Sequence, residues 1–250
     1  MMENLLKNEF TVHYGLPVST ITDITKNTDE LYFEIEDNKD SKNTVLHTTL
    51  HSGEARYFNP ERLSITIINY ELFFKSLSFS FQKNKENCDL ILYTSDNQYF
   101  ILNELTDTQP QYVSDFLSAD RNQRRGKRNK AISQLKRTLE VITVVPEIDS
   151  FIKQHTTKQC FFFNKQPKEC FKKINAVSAF NRVSALSSDG FKMSNTDIES
   201  YGFELWEFSG AQTYKLKGEL SNRQIIAEQL AQLSIKDLKN LAEILQSNDN

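Results

Sequence analysis

The chain holds 250 residues, 38% of them hydrophobic and 25% charged, with a formal net charge of −3. That length suits one large domain, or a domain with an appendage, and is enough to bury a sizeable core. The slightly acidic balance excludes a global electrostatic draw toward nucleic acid, so any basic surface has to be local, and no segment reaches the roughly 18 apolar residues that a membrane helix needs.

The opening MMENLLKNEF carries acids early and no apolar run of signal-peptide length, so a cytoplasmic protein with no membrane association is expected. Leu31 to Glu36 and Thr44 to Leu50 read as strands around the turn cluster DNKDSKN. Asn59-Pro60-Glu61 has the form of a helix start: Asn at the cap, Pro first, an acid in the first turn. The following RLSITIINYELFFKSLSFSF has helical length but is rich in β-branched residues, and its end, SLSFSF, alternates like a strand. Cys88 to Thr106 reads as a hairpin, and a polar, basic loop follows to about residue 128. A helix is expected over about 128–143, ending before Pro146.

Gln159 to Asn164 is a short apolar run, read as a buried strand. Phe203 to Phe208 is another, with TYKLKG expected to pair with it across Ser209-Gly210-Ala211. Ser221 to Gln224 fits a capping box, and Ser234 to Asp237 is a weaker copy with Asp in the Glu position. Two helices, about 222–232 and 235–246, follow from these signals. The expected organisation is one α/β domain over 1–220 with a helical tail over 221–250. In that tail Ile225, Ile226, Leu230, Leu233, Leu238, Leu241 and Leu245 would either pack on the chain's own core or serve a homodimer or protein partner.

Three cysteines, Cys88, Cys160 and Cys170, are an odd number, and two of them adjoin strand candidates, which fits buried reduced thiols. The four histidines are scattered. His47 and His51 can share a strand face, but no pair has helical metal-binding spacing.

The hairpin carries the sharpest chemical signal. A two-residue turn at Asp96-Asn97 or a four-residue turn over Ser95 to Gln98 gives the same register, and either sets Asp89 directly opposite Glu104. Opposite residues share a face with Cβ atoms about 4.5–5.5 Å apart, so the two charges repel. A raised pKa on one acid, a divalent cation between them, or plain exposure to water would each relieve that repulsion. Downstream, Arg121 to Arg137 contains Arg121, Arg124, Arg125, Lys127, Arg128, Lys130, Lys136 and Arg137 and no acid. On a helix, Ile132, Leu135, Leu139 and Ile142 fall on one face, and Lys130, Gln134 and Arg137 on the opposite one. That second face is either a solvated helix surface or a footprint for phosphate contacts.

The order of a strand opening with Asp89, a partner strand ending Glu104-Leu105-Thr106, the helix KAISQL and the strand QCFFFN resembles the PD-(D/E)xK nuclease superfamily, over about residues 60–165. The resemblance implies an α/β (α+β), restriction-endonuclease-like mixed central sheet flanked by helices. It implies Asp89 and Glu104 as ligands of Mg2+ (or Mn2+), with Glu61 or Glu71 as an extra acid. It also implies hydrolysis of nucleic-acid phosphodiester bonds, DNA ahead of RNA, in a setting such as restriction or anti-phage defence. Two positions depart from the signature. Cys88 replaces its proline, and Thr106 replaces the lysine that positions or activates the attacking water. Lys130 and Lys127 are the lysines that could reach in instead, with Lys130 taken as the catalytic one, and Arg124, Arg125, Lys127, Arg128, Lys130 and Arg137 would hold the nucleic-acid backbone. The alternative is a catalytically inactive scaffold of the same fold that binds nucleic acid or a protein partner.

Overall fold

The computed structural model describes residues 1–38, 43–48, 53–83, 85–106, 113–117, 123–164, 190–210 and 212–217. The chain divides into one unit over Met1–Leu216 and another over Lys217–Asn250. The expected C-terminal helices lie outside the described residues, as do Arg121 and Cys170.

The first unit is mixed α/β. Its N-terminal helical segment runs through α1 (Met2–Asn4), a π-helical stretch (Leu5–Phe10) and α2 (Thr11–His13). Met2, Leu6 and Phe10, four residues apart, form the buried stripe. The strands that follow are β1 (Thr25–Thr28), β2 (Tyr32–Asn38), β3 (Asn43–His47), β4 (Ala55–Phe58) and β5 (Ile65–Asn69). Then come α3 (Tyr70–Lys75), α4 (Phe79–Gln82), β6 (Leu90–Thr94), β7 (Tyr99–Thr106), β8 (Phe116–Leu117) and β9 (Gln123–Arg124). The chain continues through α5 (Lys127–Ile142), α6 (Pro146–Lys153), β10 (Thr157–Asn164), β11 (Phe191–Met193), α7 (Thr196–Glu199), β12 (Glu204–Ser209) and β13 (Tyr214–Lys215).

Seven strands form one mixed sheet in the order β1-β5-β6-β7-β10-β12-β11, and four form a second in the order β13-β4-β2-β3. In the large sheet, β1, β5, β6 and β7 are antiparallel in succession, while β7, β10 and β12 are parallel. One face of the central strands packs on the smaller sheet: Ile65, Ile67, Leu90, Leu92, Ile101, Phe161 and Phe163 meet Phe33, Ile35 and Tyr57. The other face packs under the helices, where Ile68, Ile91, Phe100, Leu102 and Cys160 meet Leu135, Leu139, Ile142 and Phe151. Burial on both faces explains why the hairpin and QCFFFN read as continuous apolar runs. Among the described residues no helix is long and apolar enough to cross a membrane.

Three local expectations are corrected. Asn59-Pro60-Glu61 opens no helix. The Asn59 carboxamide instead closes a turn on Leu63, accepting from its N–H at 2.9 Å and donating to its carbonyl at 3.0 Å, and the β-branched run beyond becomes β5. SLSFSF is not a strand: Ser78 precedes the short α4, and Phe81 packs inward beside Phe10 and Phe74. TYKLKG does not pair with Phe203–Phe208. A turn at Gly210, whose φ is +62°, sends Tyr214 and Lys215 across to pair with β4 of the smaller sheet.

Candidate functional site

The β6–β7 register pairs Leu90 with Asn103, Ile91 with Leu102 and Tyr93 with Phe100, as the hairpin reading expects. One step further out, the Asp89 N–H donates to the Asn103 carbonyl at 3.1 Å, and the Leu105 N–H donates to Asp89 Oδ2 at 2.7 Å. Asp89 thus faces Glu104 on the helix side of the sheet, with Ile91 and Leu102 next along the same face. Neither acid stands in open water, for Asp89 is 9% exposed and Glu104 8%.

Burial sets their electrostatics. Desolvation pushes Asp89 up to about 8, against the Leu105 hydrogen bond, which stabilises its anion; the charges of Glu71 and Asp37 push the same way as burial. Desolvation and then the Asp89 charge raise Glu104 well above the carboxylate range, while Lys130 and a hydrogen bond from Gln134 pull it down. Glu104 Oε2 is buried with no hydrogen-bond partner. An uncompensated oxygen of this kind is costly in a folded protein, and a cation would relieve it.

Helix α5 lies over the pair and is tied to the start of β6. Gln134 Nε2 donates to the Asn87 carbonyl at 2.9 Å, and the Cys88 N–H donates to Thr138 Oγ1 at 2.8 Å. Its first turn is fixed by Gly126, whose N–H donates to Asp115 at 2.7 Å while the Arg128 N–H donates to the Val113 carbonyl at 2.9 Å. A Cβ at Gly126 would fall 2.2 Å from the Ser114 backbone, so only glycine allows this approach. Leu135, Leu139 and Ile142 are buried and Ile132 packs against the same core, as their spacing implies.

The basic residues of this region are differently engaged. Arg128 makes a two-pronged contact with Glu207 of β12, at 2.6 and 3.0 Å. Arg137 pairs with Glu140 at 2.5 Å, Lys136 with Asp197 at 2.6 Å, and Arg125 approaches Glu86 at 3.7 Å and donates to the Asn129 carbonyl. Arg124, Lys127 and Lys130 are exposed, and of these Lys130 acts electrostatically on Glu104. Lys85, Glu86, Ser133 and Arg137 line an open depression of about 370 Å3 beside the same helix face. Glu71, through its N–H bond of 3.0 Å to the Asp89 carbonyl, is held near the pair, with Lys75 as its ion-pair partner at 2.6 Å. Glu61 lies before Ile65, at the far end of β5 from Asn69, which pairs with Leu90 beside the acids.

The donor set fits a hard divalent cation: two facing carboxylates, one with a buried oxygen that makes no hydrogen bond. Among the described residues no group of three or more His, Cys, Asp or Glu is gathered for a metal. Mg2+ commonly takes only one or two carboxylates and completes its shell with water and phosphate oxygens. His47 instead contacts Glu36 at 2.6 Å, and Cys88 and Cys160 are buried free thiols whose pKa burial raises.

Two groups escaped the sequence reading. Glu207 sits inside FELWEF, where its helix-side position follows from the strand alternation but its Arg128 partner, 79 residues away, does not. Asn164 ends the apolar run QCFFFN and is 1% exposed, with neither side-chain amide atom paired. Compared with family models, with curated proteins and with solved structures, the chain matches none of them.

Proposed function

We propose that the protein is a divalent-metal-dependent phosphodiesterase acting on nucleic acid, with a restriction-endonuclease-like core and Asp89 and Glu104 as the metal ligands. The observation that carries this reading is the buried carboxylate pair, both acids raised chiefly by burial, with a Glu104 Oε2 that makes no hydrogen bond. Further support comes from the neighbourhood. Glu104 lies in β7 and Asp89 immediately before its partner strand β6 in a mixed sheet, and a helix with exposed Lys127 and Lys130 lies over them.

Asp89 and Glu104 would hold Mg2+ or Mn2+. Such an ion lowers the pKa of a bound water and offsets the charge that develops on the phosphoryl group. The Leu105 N–H fixes the Asp89 carboxylate, and Gln134 orients Glu104, so the ligands need little reordering on binding. Lys130, whose charge acts on Glu104, would meet a phosphate oxygen entering beside it. Lys127 and Arg124, both exposed, extend the positive surface along the backbone of a nucleic acid. Arg128 serves instead as the partner of Glu207.

The test is cleavage of labelled DNA and RNA oligonucleotides in Mg2+ and Mn2+ by the wild type and by Asp89→Asn and Glu104→Gln variants. Metal-dependent cleavage lost in both variants supports the reading, and cleavage that survives in either removes these acids from the site. A non-catalytic scaffold is the second reading, favoured by Thr106, whose hydroxyl carries no positive charge. Salt-dependent binding of the same oligonucleotides without cleavage would select it.

A further inference from the structure

The C-terminal ends of three parallel strands meet beside the acids. In register, Glu104 of β7 stands next to Phe162 of β10, and Phe162 next to Glu207 of β12. One step further on, Thr106, Asn164 and Ser209 form a second row. Neighbouring strands lie about 4.8 Å apart and residues two apart share a face, so Asn164 is beside Thr106 and diagonal to Glu104. This is the helix face, since Phe162 packs on Ala131 of α5.

Asn164 is anchored by its backbone, whose carbonyl accepts from the Gly210 N–H at 2.9 Å. Its side chain is different: buried, with both Nδ2 and Oδ1 unpaired. Buried amides nearly always find partners, and a strand end in an apolar run would take Leu or Val without that penalty. With Glu104 Oε2, three buried polar atoms without hydrogen bonds sit at two diagonal positions: one donor and two acceptors. A water needs two to four polar partners, and these atoms with the Thr106 hydroxyl supply that number.

We propose that Asn164 holds the attacking water of the phosphodiesterase, its Oδ1 and Glu104 Oε2 each accepting one O–H so that the water's lone pairs face the phosphorus. The inference rests on the phosphodiesterase reading above. It assigns to a neutral carboxamide the positioning that Thr106, in the lysine position, cannot supply. In the step itself the water oxygen bonds to phosphorus, and one of its protons passes to Glu104 Oε2 and on to solvent. The bridging P–O bond breaks with its electron pair on the leaving oxygen, which takes a proton from solvent. Asn164 Nδ2 is left to donate to a non-bridging oxygen.

The experiment compares the wild type with Asn164→Leu and Asn164→Ala in single-turnover cleavage of a labelled oligonucleotide, in Mg2+-dependent thermal shift and in metal-free Tm. The expected result is a kcat loss of about 100-fold in both variants. KM and the Mg2+ shift should be kept, and the metal-free Tm of Asn164→Leu should equal or exceed that of the wild type. An amide with a purely structural role gives the opposite pattern, a lower Tm with kcat within a few-fold, and that overturns the proposal. A wild type that neither cleaves nor shifts with Mg2+ removes the phosphodiesterase reading and this inference with it. A cleaving wild type matched by Asn164→Leu removes the inference alone.

Discussion

The Leu105 N–H donates to Asp89 Oδ2 at 2.7 Å, so the backbone beside one acid of the hairpin fastens the other. That bond favours the Asp89 anion, yet burial outweighs it and lifts the group to about 8. The native state of the metal-free protein therefore holds a proton on Asp89 that the unfolded chain, near 3.8, has already released. Between about pH 4 and pH 8 the native state binds more protons, and stability falls as pH rises through that window. Urea unfolding in EDTA should show this decline, and Asp89→Asn, which keeps the Leu105 bond without the charge, should flatten it and be more stable than wild type at pH 8. A wild-type stability that rises over the window would sink the buried-pair account.

Metal binding at the proposed site would have the opposite dependence. A cation requires both carboxylates ionised, so binding releases the protons that burial retains. The Mg2+-induced rise in Tm should be small at pH 6 and grow toward pH 8.5, with protons taken up by the buffer in calorimetry. The Asp89→Asn/Glu104→Gln double variant should show no rise at any pH. Equal shifts in both proteins would locate the metal elsewhere.

The hairpin was legible in the sequence because its information is local. Turn length and strand alternation alone put Asp89 opposite Glu104, and the same arithmetic gave the apolar stripe of α5. What stayed hidden depends on distant segments. The burial of the acid pair comes from α5 packing over it, and the pairing of Arg128 with Glu207 spans 79 residues. The partner of Tyr214 is a strand in the other sheet, which no pattern within TYKLKG encodes. Asn59 misled because an Asn-Pro pair serves a turn as well as a helix cap, and only its bonds to Leu63 decide between them.

Arg128 and Lys130, two residues apart, should separate on mutation. Glu207 is 7% exposed and relies on the Arg128 guanidinium. Arg128→Ala leaves that carboxylate buried and unpaired, at a cost of about 2 kcal/mol given that Arg128 itself is partly solvated. Lys130→Ala removes an exposed cation and should leave Tm within about a degree, while weakening oligonucleotide binding and reducing its salt dependence. Thermal unfolding and fluorescence anisotropy at several salt concentrations check both. A large Tm loss in Lys130→Ala, or none in Arg128→Ala, would reverse these roles.

Thr106 offers a gain-of-function test. It is half-buried at the end of β7, two residues past Glu104 and in register with Asn164, so a longer side chain there projects toward the polar atoms that lack hydrogen bonds. Thr106→Lys would bring an ammonium beside Glu104 and Asp89, where it offsets their repulsion and can hold or deprotonate a water. Two effects should appear together. The metal-free protein should become more stable above pH 7, because the lysine charge stabilises the ionised pair. Cleavage should rise by about 100-fold, the low end of what a positioned acid–base group supplies. The rise should persist in the Thr106→Lys/Asn164→Leu double variant if the lysine takes over the carboxamide's work. A double variant as slow as Asn164→Leu alone would mean that the two positions act on different steps.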